Sequence, residues 1–414
     1  MVRNRKQIEL FKKKSKSHFG RIIIATGARQ TGKTTLVKNS FKDYTYISIE
    51  DPIAVSKYKN LTASQWNSLF PKAILDEIQK EPQIIESIKA VYDQYDEPRY
   101  VLLGSLQIML LKKVKESLAG RSMIFELFPL TLPESLTNGW NDKIIDSYFQ
   151  NVLVGNAEEL TPIMLDTKYS QKKNIFNNYL KFGAYPAISD DKLKDDEKYE
   201  WLFNYVKTYF ERDIRDIAEI KKLEPFTKTQ KLLALNTAQL TNYSKLAVEA
   251  GVTSKTAQRF LEYSNISYQT ITLQAWSRNQ HKKLVKSPKV HFVDVGVLRT
   301  ILNKKDDLTG HEFESAIIAE IYKQVKTMDL HFDFYHLRTA DGKEIDLLIE
   351  TEKGYIAFEI KQSENVRSVD ARHLRNIDEI LDKPVLHKFL LSNDEDVKYF
   401  DGNVIAMSAL QFLT

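Results

Sequence analysis

Between residues 21 and 130, short apolar runs alternate with segments whose apolar positions recur every three to four residues. The runs Arg21–Ala25, Tyr44–Ile49, Lys72–Leu75, Tyr100–Leu103 and Ser122–Leu127 predict strands. Pro82–Asp96 sets Ile84, Ile85, Ile88, Val91 and Tyr95 at helical spacing and predicts a helix between two of them. Strand, helix and strand in turn, with strands apolar almost throughout, predict an α/β unit whose parallel sheet is covered on both faces. Pro129 and Pro133 punctuate its end.

The pattern then changes. Residues 134–235 read mainly as helix, with the nearly all-charged Asp190–Lys198 expected as an exposed loop. Residues 236–304 predict two short helices and a strand pair, Tyr268–Trp276 and Lys289–Asp294. Residues 305–414 open with a helix and continue as strands. The expected division is therefore 1–133, 134–235, 236–304 and 305–414. No solenoid repeat or low-complexity tract interrupts it.

A chain of 414 residues has room for several such units. Its 43% hydrophobic and 28% charged residues argue against disorder for the bulk of it. With Lys and Arg at 60 and Asp and Glu at 55, the net charge of +5 announces no polyanionic partner, so such a partner must be argued from local charge. The absence of cysteine excludes disulfides, thiolate metal sites and thiol nucleophiles, and suits a cytoplasmic protein. The best apolar run, Val101–Leu111, is broken by Gly104, Ser105 and Gln107 and falls short of the roughly 18 residues of a membrane span. Residues 1–21 set many Lys and Arg against the single acid Glu9, and predict a basic arm or amphipathic helix packed on the first unit.

Gly27-Ala28-Arg29-Gln30-Thr31-Gly32-Lys33-Thr34, followed by Thr35, fits G-x-x-x-x-G-K-[ST] between the first strand and a helical segment, Thr34–Phe41. Gly27 and Gly32 let the backbone wrap phosphates closely. Successive N–H groups and a helix N-terminus supply positive potential there, and Lys33 adds a full charge. Thr34 offers a hydroxyl to Mg²⁺. These residues predict an ATP site.

Ala73-Ile74-Leu75-Asp76-Glu77 is a buried-type strand ending in two carboxylates. Strand C-termini face the ligand crevice in such sheets. Asp76 is expected on the Mg²⁺ shell and Glu77 as the group that orients or deprotonates the attacking water. Ser105, after the strand Tyr100–Leu103, is the expected γ-phosphate or water contact. Arg121 closes Ser117-Leu118-Ala119-Gly120-Arg121 at a helix–strand junction. There it either caps a helix or forms a surface ion pair, or it reaches a neighbour's site as an arginine finger.

These motifs, with Phe128-Pro129-Leu130, resemble the AAA+ class of ring ATPases. More narrowly, the chain is similar to prokaryotic AAA+ ATPases with an uncharacterised C-terminal domain, and the similarity runs on through Phe182-Gly183-Ala184-Tyr185-Pro186 and Arg212-Asp213-Ile214. The resemblance implies a phosphate-loop ATPase core with a helical lid, assembled as a homo-oligomer, with a hexameric ring expected. Leu106 stands where members often carry a second small polar residue.

Leu246–Ser254 looks like the first helix and turn of a helix-turn-helix, with Gly251 at the turn and Ser254 at the next N-cap. The second helix, Lys255–Tyr263, exposes Lys255, Gln258 and Arg259 and turns Ala257, Phe260 and Leu261 inward. Arg278, Lys282, Lys283 and Lys286 lie between the two strands that follow. A winged helix with a basic wing tip is expected, gripping DNA phosphates with weak sequence preference.

Phe313-Glu314 opens a helix with Ile317, Ile318 and Ile321 at core spacing. Asp346 lies in the strand Glu344–Glu350, and Glu359 and Lys361 share one face of the next, Tyr355–Gln362. Glu314, Asp346, Glu359 and Lys361 resemble the PD-(D/E)XK pattern of the restriction-nuclease fold, in which the acids bind Mg²⁺ and the lysine helps activate water. Fold does not impose cleavage. The expected function is an ATP- and Mg²⁺-dependent machine that remodels DNA, branched DNA above all. The rivals are an ATP-gated metal-dependent nuclease and a nucleotide switch that binds proteins.

Overall fold

A computed structural model describes residues 2–104, 117–157, 163–208, 223–279 and 286–414. Five parallel strands form the first sheet: β1 (Ile22–Thr26), β2 (Thr45–Ser48), β3 (Lys72–Asp76), β4 (Arg99–Leu103) and β5 (Ser122–Glu126). Their order is β2-β3-β4-β1-β5, with Ile22 opposite Tyr100 on one side and Ser122 on the other. The α/β expectation holds to within a residue or two at each strand.

Period two divides β1 between two cores. Ile22 and Ile24 join Ile47, Trp66, Leu75 and the helix Pro82–Gln94, which buries Ile84, Ile85, Ile88 and Val91. Ile23 and Ala25 join Val37, Phe41, Phe125 and Phe11. Phe11 belongs to the helix Gln7–Ser15, so the N-terminal arm does pack on the first unit.

Eight strands form the second sheet: β6 (Thr270–Ala275), β7 (Lys289–Phe292), β8 (Asp333–Arg338), β9 (Glu344–Glu350), β10 (Tyr355–Ile360), β11 (Val385–Ser392), β12 (Lys398–Phe400) and β13 (Val404–Ser408). Their order is β12-β13-β11-β10-β9-β8-β6-β7. The expected wing strands, β6 and β7, pair antiparallel with Thr270 opposite Phe292. They do not stand apart. Gln274 and Ala275 pair with Tyr335 and His336 of β8, so one sheet crosses the expected division at 304/305. That pairing satisfies the N–H and C=O groups of an otherwise open strand edge.

The stretch expected as a charged loop is part helix: Asp195–Thr208 is helical from its first acid. Asp195, Asp196 and Glu197 occupy the first turn, where acidic side chains suit the helix dipole, and Lys198 is buried.

The C-terminal lobe grips the end of the ATPase block through the helix Gly310–Thr327. Glu320 accepts from the Leu132 N–H at 2.7 Å, Lys323 donates to the Leu130 carbonyl at 2.9 Å, and the two side chains pair at 2.7 Å with no solvent exposure. Gly183 completes the joint. It ends the helix Tyr169–Phe182 at φ +77°, and a Cβ there would lie 2.0 Å from Asp294 Oδ1. Asp294 in turn accepts from Ala184 N–H at 2.8 Å, and Ala184 C=O accepts from Leu130 N–H at 2.9 Å. The Phe182–Pro186 motif is thus a lock between the lobes. Gly183→Ala is expected to cost about 1–3 kcal/mol in backbone strain alone, read as a lower urea midpoint at constant slope.

Candidate active site

The phosphate loop leaves β1 at its C-terminal edge, and the helix Lys33–Ser40 starts directly from it. Gly27 has φ +144°, and a Cβ on it would lie 2.1 Å from the Leu127 carbonyl oxygen, so only glycine lets β5 come so close. Gly32 caps the helix at φ +90°. Gln30 takes the left-handed region without being glycine, at φ 62°. Lys33 Nζ donates across the loop to the carbonyls of Gly27 at 2.9 Å and Ala28 at 2.6 Å, while Thr31 Oγ1 donates to the Ala28 carbonyl at 2.9 Å. Arg29 is half-buried beside them, and Gln30 and Thr35 are exposed.

Asp76 ends β3, and Thr34 Oγ1 donates to its Oδ2 at 2.9 Å. A hydroxyl and a carboxylate side by side are the hard oxygen donors Mg²⁺ takes, so Thr34 and Asp76 fit that ion. When bound, it would supply charge to the β- and γ-phosphates of ATP. Glu77 follows at φ 56° and ψ 37°. A non-glycine residue held there stores strain, as at many functional sites. Its carboxylate accepts from Gln79 Nε2, and its own N–H bonds Asp76 Oδ1 at 3.0 Å. Loop and strand end thus bring Thr34 and Asp76 into contact, with Lys33 and Glu77 next to them along the chain. Ser105 lies outside the described residues. Arg121 lies elsewhere on the surface, paired with Asp93 at 2.7 Å.

Three residues near this site escape the motifs. Tyr46 donates to Asp76 Oδ2 at 2.8 Å, and burial, then that carboxylate, pushes its phenol well above the usual range. Arg5, 6% exposed, donates to the Thr31 carbonyl at 3.3 Å and the Phe128 carbonyl at 2.6 Å, and pairs with Glu134 at 3.3 Å. Tyr268, at φ 61° just past the helix Ser254–Ile266, donates to Glu126 Oε1 at 3.0 Å. Glu126 is the β5 partner of Thr26, the residue before Gly27. The sequence placed Tyr46 in a strand and Arg5 in a basic arm, but singled out neither.

The helix-turn-helix is built as expected in its inner and outer faces. Gly251 ends Tyr243–Ala250 at φ +71°, and Ser254–Ile266 exposes Lys255, Gln258 and Arg259 over buried Ala257, Phe260 and Leu261. The N-cap is Thr253 rather than Ser254: its Oγ1 accepts from the Thr256 N–H at 3.2 Å. Arg278 is exposed but tied down. It donates to the carbonyls of Ile380 at 3.0 Å and Glu379 at 3.3 Å, closing a short helical turn of the C-terminal lobe. Lys286 is exposed, while Lys282, Lys283 and the segment Arg212-Asp213-Ile214 lie outside the described residues.

Glu314, Asp346, Glu359 and Lys361 do converge. Lys361 Nζ lies 2.9 Å from Glu359 Oε2 and 3.8 Å from Asp346 Oδ2, and the Ile360 N–H donates to Asp346 Oδ2 at 2.9 Å. Burial, then the Asp346 charge, pushes the Glu359 carboxyl up to about 7. His373 Nδ1 stands 3.6 Å from Glu359 Oε1. The pattern missed one member, Lys289. Its ammonium, 3% exposed, lies 2.8 Å from Glu344, 3.2 Å from Glu314 and 3.5 Å from Asp346. Among the described residues no group of three or more His, Asp or Glu side chains is placed to hold a metal ion. With the ammoniums of Lys289 and Lys361 already among them, these acids do not fit a resident Mg²⁺.

Residues 20–136 match a family model described as an AAA domain. Residues 173–308 and 309–412 match two models each described as a domain of unknown function, DUF8612 and DUF4143. An uncharacterised protein of Mycobacterium tuberculosis is 25% identical over 359 residues, covering 84% of this chain and 71% of that one. One from Methanocaldococcus jannaschii is 25% identical over 402 residues, covering 91% and 83%. Among solved structures, the Walker-type ATPase of Pyrococcus abyssi aligns at 13% identity and a TM-score of 0.44, over 73% of this chain and 99% of that one. No described helix is long and apolar enough to cross a membrane. The chain thus carries an AAA-type ATPase domain followed by two domains whose families have no assigned function.

Proposed function

We propose that this chain is a Mg²⁺-dependent ATPase that works as a homo-oligomer, a hexameric ring, to bind and remodel DNA, with branched DNA preferred. The observation that supports the ATPase reading is the contact of Thr34 with Asp76, flanked in sequence by Lys33 and Glu77, at the C-terminal edge of the parallel sheet. Lys33 and the loop N–H groups bind the triphosphate. Glu77 takes or orients the proton of the attacking water. Arg121 acts across a subunit contact, exchanging Asp93 for a neighbour's phosphate.

The DNA reading is supported by the exposed Lys255, Gln258 and Arg259 on the outer face of a helix-turn-helix, with Lys286 also exposed. Arg278, exposed and held against the Ile380 and Glu379 carbonyls, belongs to the same proposed surface. ATP turnover with single-stranded, duplex and four-way DNA, beside a mass determination with ATP bound, tests both halves. Stimulation by four-way DNA above duplex, in a ring-sized particle, supports the proposal. Turnover indifferent to every DNA would overturn the DNA half.

A Lys255→Ala, Arg259→Ala double variant is expected to weaken duplex binding at every sequence and to flatten the slope of log K against log salt by about 1–2. An unchanged slope in a filter-binding titration removes this helix from the DNA footprint.

A further inference from the structure

The acidic centre of the C-terminal lobe is a cation site by composition, and a cation is already in it. Glu314 comes from the helix Gly310–Thr327, Glu344 and Asp346 from β9, and Glu359 from β10. Lys289 comes from β7, at the far edge of the same sheet. Its ammonium touches three of those four carboxylates at 2.8–3.5 Å, and Lys361 holds the fourth at 2.9 Å.

We infer that Lys289 stands permanently in the position a divalent metal takes in nuclease-type folds, so that this lobe takes up no metal there and cuts no phosphodiester.

Three observations carry the inference. The first is volume. Mg²⁺ needs oxygen ligands at roughly 2.0–2.1 Å in near-octahedral array, and the Lys289 ammonium, 2.8 Å from Glu344, 3.2 Å from Glu314 and 3.5 Å from Asp346, takes the space between those three acids, while Lys361 lies against Glu359. The second is charge. Two ammoniums, Lys289 and Lys361, already sit among the four carboxylates, and the carboxylate charges hold the Lys289 proton above the ordinary lysine range in spite of burial. The third is anchorage. Lys289 pairs through its backbone with Leu273 of β6 on one side and with Leu240 on the other. The strand fixes the root of the side chain, and withdrawal would take the nearest ammonium from the buried Glu314 and Asp346, which is costly. The inference does not depend on the DNA reading: an ATPase that moves proteins would carry the same blocked centre.

The test is Mn²⁺ uptake by the nucleotide-free full chain, read from the loss of the free-ion electron paramagnetic resonance signal. Wild type and Glu359→Gln are expected to take up equal amounts of Mn²⁺. Lys289→Met, which keeps the side chain's bulk and removes its charge, is expected to take up about one more ion per chain at micromolar metal. The Lys289→Met, Glu359→Gln double variant is expected to lose that ion. The inference is overturned if wild type takes up an ion that Glu359→Gln abolishes. It is equally overturned if Lys289→Met, with native circular dichroism and native nucleotide binding, gains nothing. Should Lys289→Met fail to fold, Lys289→Gln replaces it, and the comparison of wild type with Glu359→Gln needs neither.

Discussion

Glu77→Gln is expected to hold ATP about as tightly as the wild type while turning it over about 10²–10⁴-fold more slowly, the usual worth of a placed general base. The carboxamide keeps the shape of the side chain and can still bond Gln79, so the strained turn at φ 56° has no reason to relax. What it loses is the ability to take a proton. The phosphate loop, Thr34 and Asp76 are untouched, so binding survives. Lys33→Ala provides the contrast, since it removes the charge that spans the loop and should abolish retention as well as turnover. Equilibrium binding of a fluorescent ATP analogue, together with phosphate release, separates the two. Ordinary phosphate release from Glu77→Gln would remove Glu77 from the assigned role.

Lys323→Ala is expected to cost about 3–5 kcal/mol of stability, because it strands Glu320 as a buried and unpaired charge. Neither side chain of this pair sees solvent, and between them they hold the backbone at Leu130 and Leu132, where the ATPase block meets the C-terminal lobe. The damage should therefore separate the lobes as well as lower the midpoint. Calorimetry should show an early transition for the C-terminal lobe where the wild type melts more cooperatively. Replacing both members, Glu320→Leu with Lys323→Met, should recover much of the loss, since the desolvation of two charges disappears along with their attraction. A single variant indistinguishable from wild type would show that the joint does not depend on this pair.

The phosphate loop and its strand were legible because their chemistry is local: Gly27 to Thr34 are consecutive, and Asp76 ends a run of apolar residues. The inner and outer faces of Ser254–Ile266 were legible for the same reason, since helical period alone separates Arg259 from Phe260. Long-range partners were not. Lys289 sits in a short strand, Lys-Val-His-Phe, whose neighbours give no sign that Glu314, Glu344 and Asp346 will close around it. A charged residue in a strand buried along its length was the one available hint. Arg5 was legible as part of a basic arm, but not as a buried tie between the Thr31 and Phe128 carbonyls. Composition misled only at Asp195–Lys198, the end of the expected loop, because acids that suit a helix start also suit an exposed turn. The β6–β8 pairing across 304/305 was not legible, because sheet order is a tertiary fact that no single strand encodes.

Tyr268 is a short lever. It follows the exposed helix of the helix-turn-helix directly, and its hydroxyl rests on Glu126, across one strand pairing from the residue that begins the phosphate loop. A pull on that helix reaches the strand leading into the phosphate loop through two side chains, Tyr268 and Glu126. Thermodynamic reciprocity then applies: whatever factor ATP imposes on the affinity of a ligand held by the helix, that ligand imposes on the affinity for ATP.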